Sequence, residues 1–185
     1  EQFLDGEFEE TELGMIPKGW SISTLGDICK VQGGFAFKSA WWQEEGIKVV
    51  KIKNIDNFKV SIDDCQCVSE EIAEKYSNFL LEDGDAIIAM TGANVGKIGI
   101  VDTENEKLLL NQRVGRFLPV KNMKSFILTM IKNDNFFKTI QNKAYGSAQP
   151  NISAKDIEAI KIIIPNNEAI GRFNKVVSPT IDKVL

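Results

Sequence analysis

The chain has 185 residues, of which 43% are hydrophobic, and a formal net charge of −4; this composition is typical of a globular protein with one domain or two small lobes. It contains no histidine, which excludes a Ser-His-Asp triad, a Cys-His pair and a histidine base. Its three cysteines are too few for a structural zinc site, which needs about four Cys or His ligands. No apolar run approaches the ~20 residues of a membrane span and no signal peptide is recognised, so we expect a cytoplasmic protein without membrane contact.

The charge is unevenly distributed along the chain. Residues 1–12 carry six acidic groups and no basic one, and we interpret residues 1–13 as an acidic arm or linker. Residues 86–161 carry 11 basic and 6 acidic groups. This local basic excess suits a surface that faces a polyanion, although a solvated face accounts for it about as well.

The first elements are short and are separated by glycine. Leu25–Val31 is either a helical turn or the start of a strand, and Gly33-Gly34 then breaks the chain before Lys38 and Ser39. Aromatic residues beside a lysine can stack on nucleic-acid bases, but packing under a glycine turn is their commoner role. The aromatic residues at this point are Phe35, Phe37, Trp41 and Trp42.

Two strands and a helix follow. Ile47–Ile55 alternates as a strand does, and Val60–Val68 predicts a second strand with an acidic turn at Asp63-Asp64. Ser69 is a good N-cap for a short helix that we expect to end near Tyr76.

A glycine-rich connection, TGANVGK, joins two short apolar strands at Ala86–Met90 and Ile98–Val101. A phosphate-binding loop needs four residues between its glycines and then Lys-Ser or Lys-Thr. Here the glycines enclose three residues and isoleucine follows the lysine. We therefore predict a plain strand connection with Thr91, Asn94 and Lys97 exposed at its tip.

Asn111, Gln112 and Arg113 lie between the apolar segment Leu108–Leu110 and a strand predicted at Val114–Val120. Asn, Gln and Arg are the side chains that bond bidentately to adenine and guanine edges. They also commonly satisfy buried backbone groups, and for each residue that structural role is at least as frequent.

The C-terminal part is mainly helical. Lys124–Ala144 has apolar residues at three- and four-residue steps, with an interruption at Asn133–Asn135 that predicts two helices. Ser153 predicts the N-cap of another short helix, which the apolar strand Ile162–Ile164 follows. A last amphipathic helix begins near Asn166, and Pro179 is expected to kink or end it.

Several of these segments together resemble one family, the target-recognition domains in specificity subunits of type I restriction–modification enzymes. The matching segments, in the order in which that family has them, are Leu13–Trp20, the G-x-x-F-x-S element in Gly33–Ser39, the strand–glycine loop–strand unit Gly84–Val101, Gly146–Ile152, and the helix and strand ending at Pro165.

The resemblance implies an α+β fold in which a β-rich, twisted-sheet lobe reads duplex DNA beside flanking helices. Residues 14–165 would form the recognition domain, and residues 166–185 would begin a spacer helix. The implied partners are double-stranded DNA, methyltransferase subunits, a motor-nuclease subunit, and a second recognition domain in the same chain or in a dimer. This chain would be non-catalytic and bind no cofactor, and S-adenosylmethionine would lie on the methyltransferase partner.

The polar side chains on four predicted loops are our candidates for DNA contact, with Lys97 and Lys143 as the phosphate-binding lysines. The full set is Lys38, Ser39, Thr91, Asn94, Lys97, Asn111, Gln112, Arg113, Lys143, Tyr145, Ser147, Gln149 and Asn151.

Two alternatives belong to other functional classes. One is a β-rich module that binds protein or carbohydrate through Trp41, Trp42 and Tyr145. The other is a small enzyme, which the lack of histidine and of clustered carboxylates disfavours.

Overall fold

The computed structural model describes residues 6–145 and 150–184, with side chains as far as Ile181. The helices are α1 (Leu25–Ile28), α2 (Glu70–Lys75), α3 (Lys124–Ile131), α4 (Asp134–Ala144), α5 (Ala154–Glu158) and α6 (Asn167–Val184). The strands are β1 (Phe8–Thr11), β2 (Gly14–Pro17), β3 (Ser21–Thr24), β4 (Cys29–Gly33), β5 (Ile47–Val50), β6 (Ile55–Asp56), β7 (Phe58–Val60), β8 (Gln66–Val68), β9 (Leu80–Leu81), β10 (Ala86–Ala89), β11 (Ile98–Ile100), β12 (Leu108–Leu110), β13 (Val114–Pro119) and β14 (Lys161–Ile164). The mixed α+β class expected from the sequence is therefore confirmed.

A mixed sheet of six strands forms the centre of the described residues, in the order β4-β13-β10-β11-β7-β6. Its strands pair antiparallel except for β11 and β7, which are parallel. A second sheet of four strands has the order β8-β5-β12-β9, and β12 pairs parallel with β5 within it. Two small antiparallel ribbons, β1–β2 and β3–β14, complete the strand pairing of the described residues.

Helix α2 packs on the second sheet, whereas helices α1, α3, α4 and α5 cover one face of the six-stranded sheet. Ile88 of β10 and Phe117 of β13 are buried there with Ile127 of α3, Ile140 of α4 and Ile157 of α5. The alternate residues of the same strands point to the opposite face, where Ile87 and Ala89 meet the second sheet. Because side chains alternate along β10, its residues pack on the helices on one face and on the second sheet on the other. This burial on both faces explains why the strand is wholly apolar.

Arg116 of β13 joins the two sheets. Its guanidinium donates to the carbonyl oxygen of Leu80 (2.7 Å), to Asp85 Oδ2 (3.0 Å) and to Gln32 Oε1 (2.6 Å from Nη2). Gln32 Nε2 in turn donates to the carbonyl of Asn78 at 3.0 Å. The segment that leads into β9 is therefore held on β4 and β13.

Most predicted helices and strands are confirmed, but the strand predicted at Ile47–Ile55 is wrong in its second half. The strand ends at Val50, and Ile52–Asn54 form a 3-10 turn. The cause is Asn54, whose buried side chain accepts from the Lys51 amide at 2.9 Å and thereby closes a local turn that competes with the strand. Val60–Val68 is likewise divided, because the predicted acidic turn separates β7 from β8 and the two lie in different sheets.

Three further segments differ in detail from expectation. Leu25–Val31 contains both of the alternatives, since α1 is followed directly by β4. The acidic N-terminal region includes β1, which pairs with β2 in a hairpin. Pro179 lies inside α6 and does not end it; Pro179 and Lys175, whose carbonyl loses its helical partner, are both exposed to water.

Candidate nucleic-acid interface

Most of the predicted loops lie at one end of the six-stranded sheet. Ala89 at the end of β10 pairs with Val114 at the start of β13, and Gly33 at the end of β4 pairs with Gly115. Because β11 runs antiparallel to β10 and β7 runs parallel to β11, both of these strands begin at this same end. We call this the loop end of the sheet: the end at which β4 and β10 finish and β7, β11 and β13 begin.

Backbone hydrogen bonds connect three of the loops at the loop end. The Met90 amide donates to the carbonyl of Arg113, and the Met90 carbonyl accepts from the Ile152 amide, each at 2.9 Å. The Gly92 amide donates to the Pro150 carbonyl at 2.9 Å. These bonds place the connection 91–97, the turn 111–113 and the residues that precede α5 side by side.

The packing of α4 holds the connection 91–97 in place. Gln141 donates from Nε2 to the Val95 carbonyl at 2.7 Å. Gly96 has φ of +90°, and a Cβ added there would lie 3.2 Å from both Phe137 and Ile140. Glycine is therefore required both by the backbone conformation and by the close approach of the helix.

A capping box at the start of α5 fixes the next loop. The hydroxyl of Ser153 accepts from the Asp156 amide (3.1 Å), and Asp156 Oδ2 accepts from the Ser153 amide (3.1 Å) and hydroxyl (2.6 Å). The hydrogen bonds from Ser153 lower the pKa of Asp156. The sequence prediction of Ser153 as the N-cap is confirmed.

Four of the predicted contact residues present exposed side chains near this end. Gln112 and Arg113 are exposed, and within the described residues their side chains have neither hydrogen bonds nor ion pairs. Asn151 is exposed beside Thr91, with which it forms a β-bridge, and Tyr145 is 57% exposed. Polar side chains without internal partners are available to an external ligand.

Thr91 and Asn94 are half-buried in the connection itself. Thr91 Oγ1 is buried and has no hydrogen-bond partner in the described part of the chain. Thr91, Asn94 and Lys97, predicted to be exposed at the tip, are therefore only partly exposed, because the segment around Pro150 and the helix α4 cover part of the connection.

Asn111 is only 6% exposed. Its amide donates to the Val50 carbonyl (3.1 Å), and its carbonyl accepts from Val114 (2.9 Å), so that it joins the two sheets at the turn. Burial favours the structural role for this residue, and we remove Asn111 from the set of contact candidates.

The candidate lysines differ in whether their ammonium groups have partners within the protein. Lys97 forms an ion pair with Asp56 at 3.0 Å, so a phosphate at Lys97 would compete with this carboxylate. Lys143 is exposed in the last turn of α4, and it contributes to the lowered pKa of Asp156. Lys38 lies 5.2 Å from the ring of Trp41, next to the exposed Ser39. Ser147 and Gln149 lie outside the described residues.

The aromatic residues after Gly34 pack on one another beside the turn 111–113. Phe35 bridges to Asn111 and stacks on Tyr76 with ring centroids 3.9 Å apart. Trp41 stacks on Phe35, and Trp42 lies under the ammonium of Lys51 at 3.7 Å. Both tryptophans are half-buried in this cluster, as expected for packing residues. Their partial burial disfavours the alternative in which they form an exposed surface that binds protein or carbohydrate.

Sequence reasoning missed Phe58, a large side chain at the loop end. It lies in the two-residue turn between β6 and β7 and is 40% exposed. The sequence signal was the Asp-Asn pair before it, which favours a tight turn. The strand predicted at Ile47–Ile55 extends almost to this pair and therefore leaves no place for a hairpin here.

Neither a metal site nor a membrane span is found within residues 6–145 and 150–184. No three acidic, cysteine or histidine side chains there are grouped to hold an ion, and none of the helices is long and apolar enough to cross a bilayer. The three cysteines are free thiols, and burial raises the pKa of Cys29 to about 12.

Known proteins share both the sequence and the fold. The chain is 31% identical over 171 residues to the MjaVIII specificity subunit of Methanocaldococcus jannaschii and 27% identical over 158 residues to the EcoAI specificity subunit of Escherichia coli, both described as type I restriction enzymes. These matches cover 90% and 83% of this chain but only 40% and 27% of those subunits.

Among solved structures, the HsdS subunit from Thermoanaerobacter tengcongensis matches with a TM-score of 0.60 at 15% identity, over 95% of this chain and 41% of that one. A structure of a type I R-M system described for its complex assembly and conformational transition matches with a TM-score of 0.63 at 15% identity, over 96% and 42%. At this identity the likeness concerns the fold.

The family profile described as "Type I restriction modification DNA specificity domain" matches residues 17–183, which is nearly the whole chain. The fold and the sequence relatives agree with that match. This chain belongs to the type I restriction modification DNA specificity domain family.

Proposed function

We propose that this chain is a DNA target-recognition domain that reads one half of a split duplex site for a type I restriction–modification system. The observation that carries the proposal is the arrangement of Gln112, Arg113 and Asn151. Their exposed side chains have the donor and acceptor groups that read base edges, and backbone bonds of 2.9 Å hold their loops together at the loop end.

The width of the loop end suits a short DNA segment. From β4 to β7 the sheet has four strand-to-strand steps. At about 4.8 Å for each step this spans about 19 Å. Since the DNA rise is about 3.4 Å per base pair, one such end covers about five or six base pairs.

The roles follow from side-chain chemistry. Arg113 has the forked donors that match guanine O6 and N7, and the amides of Gln112 and Asn151 match adenine N6 and N7. Lys143, which is exposed on α4, would hold a phosphate and contribute affinity without sequence preference. Lys38 would act in the same way beside the aromatic cluster.

The proposed partners are double-stranded DNA, methyltransferase subunits that carry S-adenosylmethionine, a motor-nuclease subunit, and a second recognition domain. Residues 14–165 would form the reading domain, and α6 would begin a spacer toward the second domain. Catalysis would belong to the partner subunits, in the cytoplasm.

An exchange experiment tests the proposal. The parent gene is expressed with its methyltransferase gene in a host without methylation, and the modified bases are sequenced before and after residues 14–165 are exchanged for those of a relative. We expect one half of a split motif to change while the other half stays. A motif that is indifferent to the exchange would make this segment a scaffold or docking surface.

A further inference from the structure

The turn between β6 and β7 has an unusual backbone for its sequence. Ile55 pairs with Val60 and Asp56 with Lys59, which leaves Asn57 and Phe58 as a two-residue turn. Both have positive φ, 47° and 61°. A turn of this kind favours Asn followed by Gly, because a side chain at the second position crowds the backbone. Phenylalanine at that position is therefore strained.

The strained residue lies at the loop end. Phe58 pairs with Gly99 in the parallel ladder between β7 and β11, so the tip of the hairpin adjoins the connection 91–97. The ion pair between Asp56 and Lys97 (3.0 Å) ties the tip to that connection. Phe58 thus lies at the loop end, where Gln112 and Arg113 also lie.

One cation lies over the exposed ring, and a second follows it in the sequence. The ammonium of Lys132 lies 5.8 Å from the ring centroid, and Lys59 is the next residue along β7. Both lysines are exposed, and neither forms an ion pair within the described residues. An exposed aromatic ring with lysines nearby that form no ion pair suits contact with a base step and its adjoining phosphates.

We propose that Phe58 is an apolar wedge that inserts at a base step on the flank of the recognised DNA segment, with Lys59 and Lys132 on the adjoining phosphates. This inference rests on the proposed function. Burial of the ring against the bases would offset the backbone strain at Phe58.

The test uses the full-length specificity subunit assembled with its methyltransferase partner. Phe58→Gly removes both the ring and the strain, so we expect the melting temperature to rise by about 2 °C. We expect the affinity for cognate DNA to fall at least ~10-fold, by analogy with the loss of a stacking side chain. Phe58→Leu, which keeps an apolar wedge, should bind within ~3-fold of the original protein.

A matched control relieves strain elsewhere. Asn105, with φ of 63°, lies in the connection from β11 to β12, which leaves the sheet at the opposite end. Asn105→Gly should also raise the melting temperature, with unchanged DNA affinity. In addition, 2-aminopurine placed at the wedged step should brighten on binding of the original protein and stay dim with Phe58→Gly.

Two results would overturn the inference. A fall in melting temperature for Phe58→Gly would make the ring a packing residue, and an affinity within twofold of the original would remove its role in binding. If Arg113→Ala and the domain exchange alter the modified motif while Phe58→Gly does nothing, only the wedge is wrong. If the exchange also leaves the motif unchanged, the proposed function fails.

Discussion

Arg116 and Asp85 form a largely buried ion pair, with Nη1 and Oδ2 3.0 Å apart and side chains that are 12% and 18% exposed. Asp85 Oδ2 also accepts from the Glu82 amide at 2.9 Å, so the carboxylate organises the turn before β10. The pair therefore connects a strand of the six-stranded sheet to the turn and to β9 in the second sheet.

Arg116→Ala should destabilise the domain by ~2–4 kcal/mol, because it leaves the Asp85 carboxylate, the Gln32 amide oxygen and the Leu80 carbonyl without their shared donor. Urea unfolding measures the loss. Lys53→Ala is the control, since its ion pair with Asp64 is at the surface and should be worth less than ~1 kcal/mol. Equal losses in the two variants would contradict this account.

Gly34→Ala should destabilise the domain by ~2–3 kcal/mol and alter base preference. A Cβ at this position would lie 2.3 Å from the carbonyl oxygen of Asn111 and 2.4 Å from that of Leu110, so the turn that carries Gln112 and Arg113 must shift. Unfolding and methylation-motif sequencing check both effects.

The neighbouring glycine supplies the control for that substitution. A Cβ on Gly33 would come no nearer than 3.9 Å to Met90, so Gly33→Ala should cost within ~0.5 kcal/mol and keep the motif. A substantial effect at Gly33 with none at Gly34 would show that the close approach is not the cause.

Local sequence signals predicted those helices and strands whose ends depend on neighbouring residues. The cap at Ser153, the helix break at Asn133–Asn135 and the strands around the glycine connection all rest on neighbouring residues. The parallel pairing of β11 with β7 and of β12 with β5 depends on residues distant in sequence. No local pattern encodes that pairing.

The sequence predicted which residue types lie at the candidate site better than it predicted which of them are exposed. Gln112 and Arg113 are exposed as expected, whereas the adjacent Asn111 is buried because both sheets bond to its backbone. The exposure of Phe58 follows from the separate hairpin turn at Asn57–Phe58, which a continuous strand over Ile47–Ile55 does not anticipate. Such effects appear only after the tertiary contacts are known.

Ser153→Ala should cost ~1 kcal/mol, because it removes the hydroxyl that caps α5 and that bonds to Asp156. The effect depends on pH. The pKa of Asp156 is lowered in the fold, so its contribution to stability is present above its unfolded pKa of about 3.9 and is lost as pH falls through the folded value.

Unfolding at neutral and at acid pH measures this dependence. The stability difference between the original protein and Asp156→Asn should narrow as the pH falls below about 4. A difference that widens toward acid pH would have the wrong sign for a stabilised carboxylate.

Lys143→Ala should weaken binding to every DNA sequence alike and reduce the slope of log affinity against log salt by about 0.9, as the loss of one phosphate contact does. Arg113→Ala should instead cost ~1–3 kcal/mol and relax preference at one base position. Titrations of cognate and scrambled duplexes at several salt concentrations separate the two. A changed preference at one position with an unchanged salt slope would reverse the role given to Lys143.

The bonds that hold the connection 91–97, the turn 111–113 and the residues before α5 together are made by backbone atoms of Met90, Gly92, Pro150, Ile152 and Arg113. Side chains at the adjoining exposed positions can therefore be replaced without altering the spacing of the loops. The sheet fixes the spacing of the loops, while the exposed side chains on those loops can vary. Relatives built on this scaffold should recognise half-sites of different sequence but similar length, and new specificities should be obtainable by local substitution.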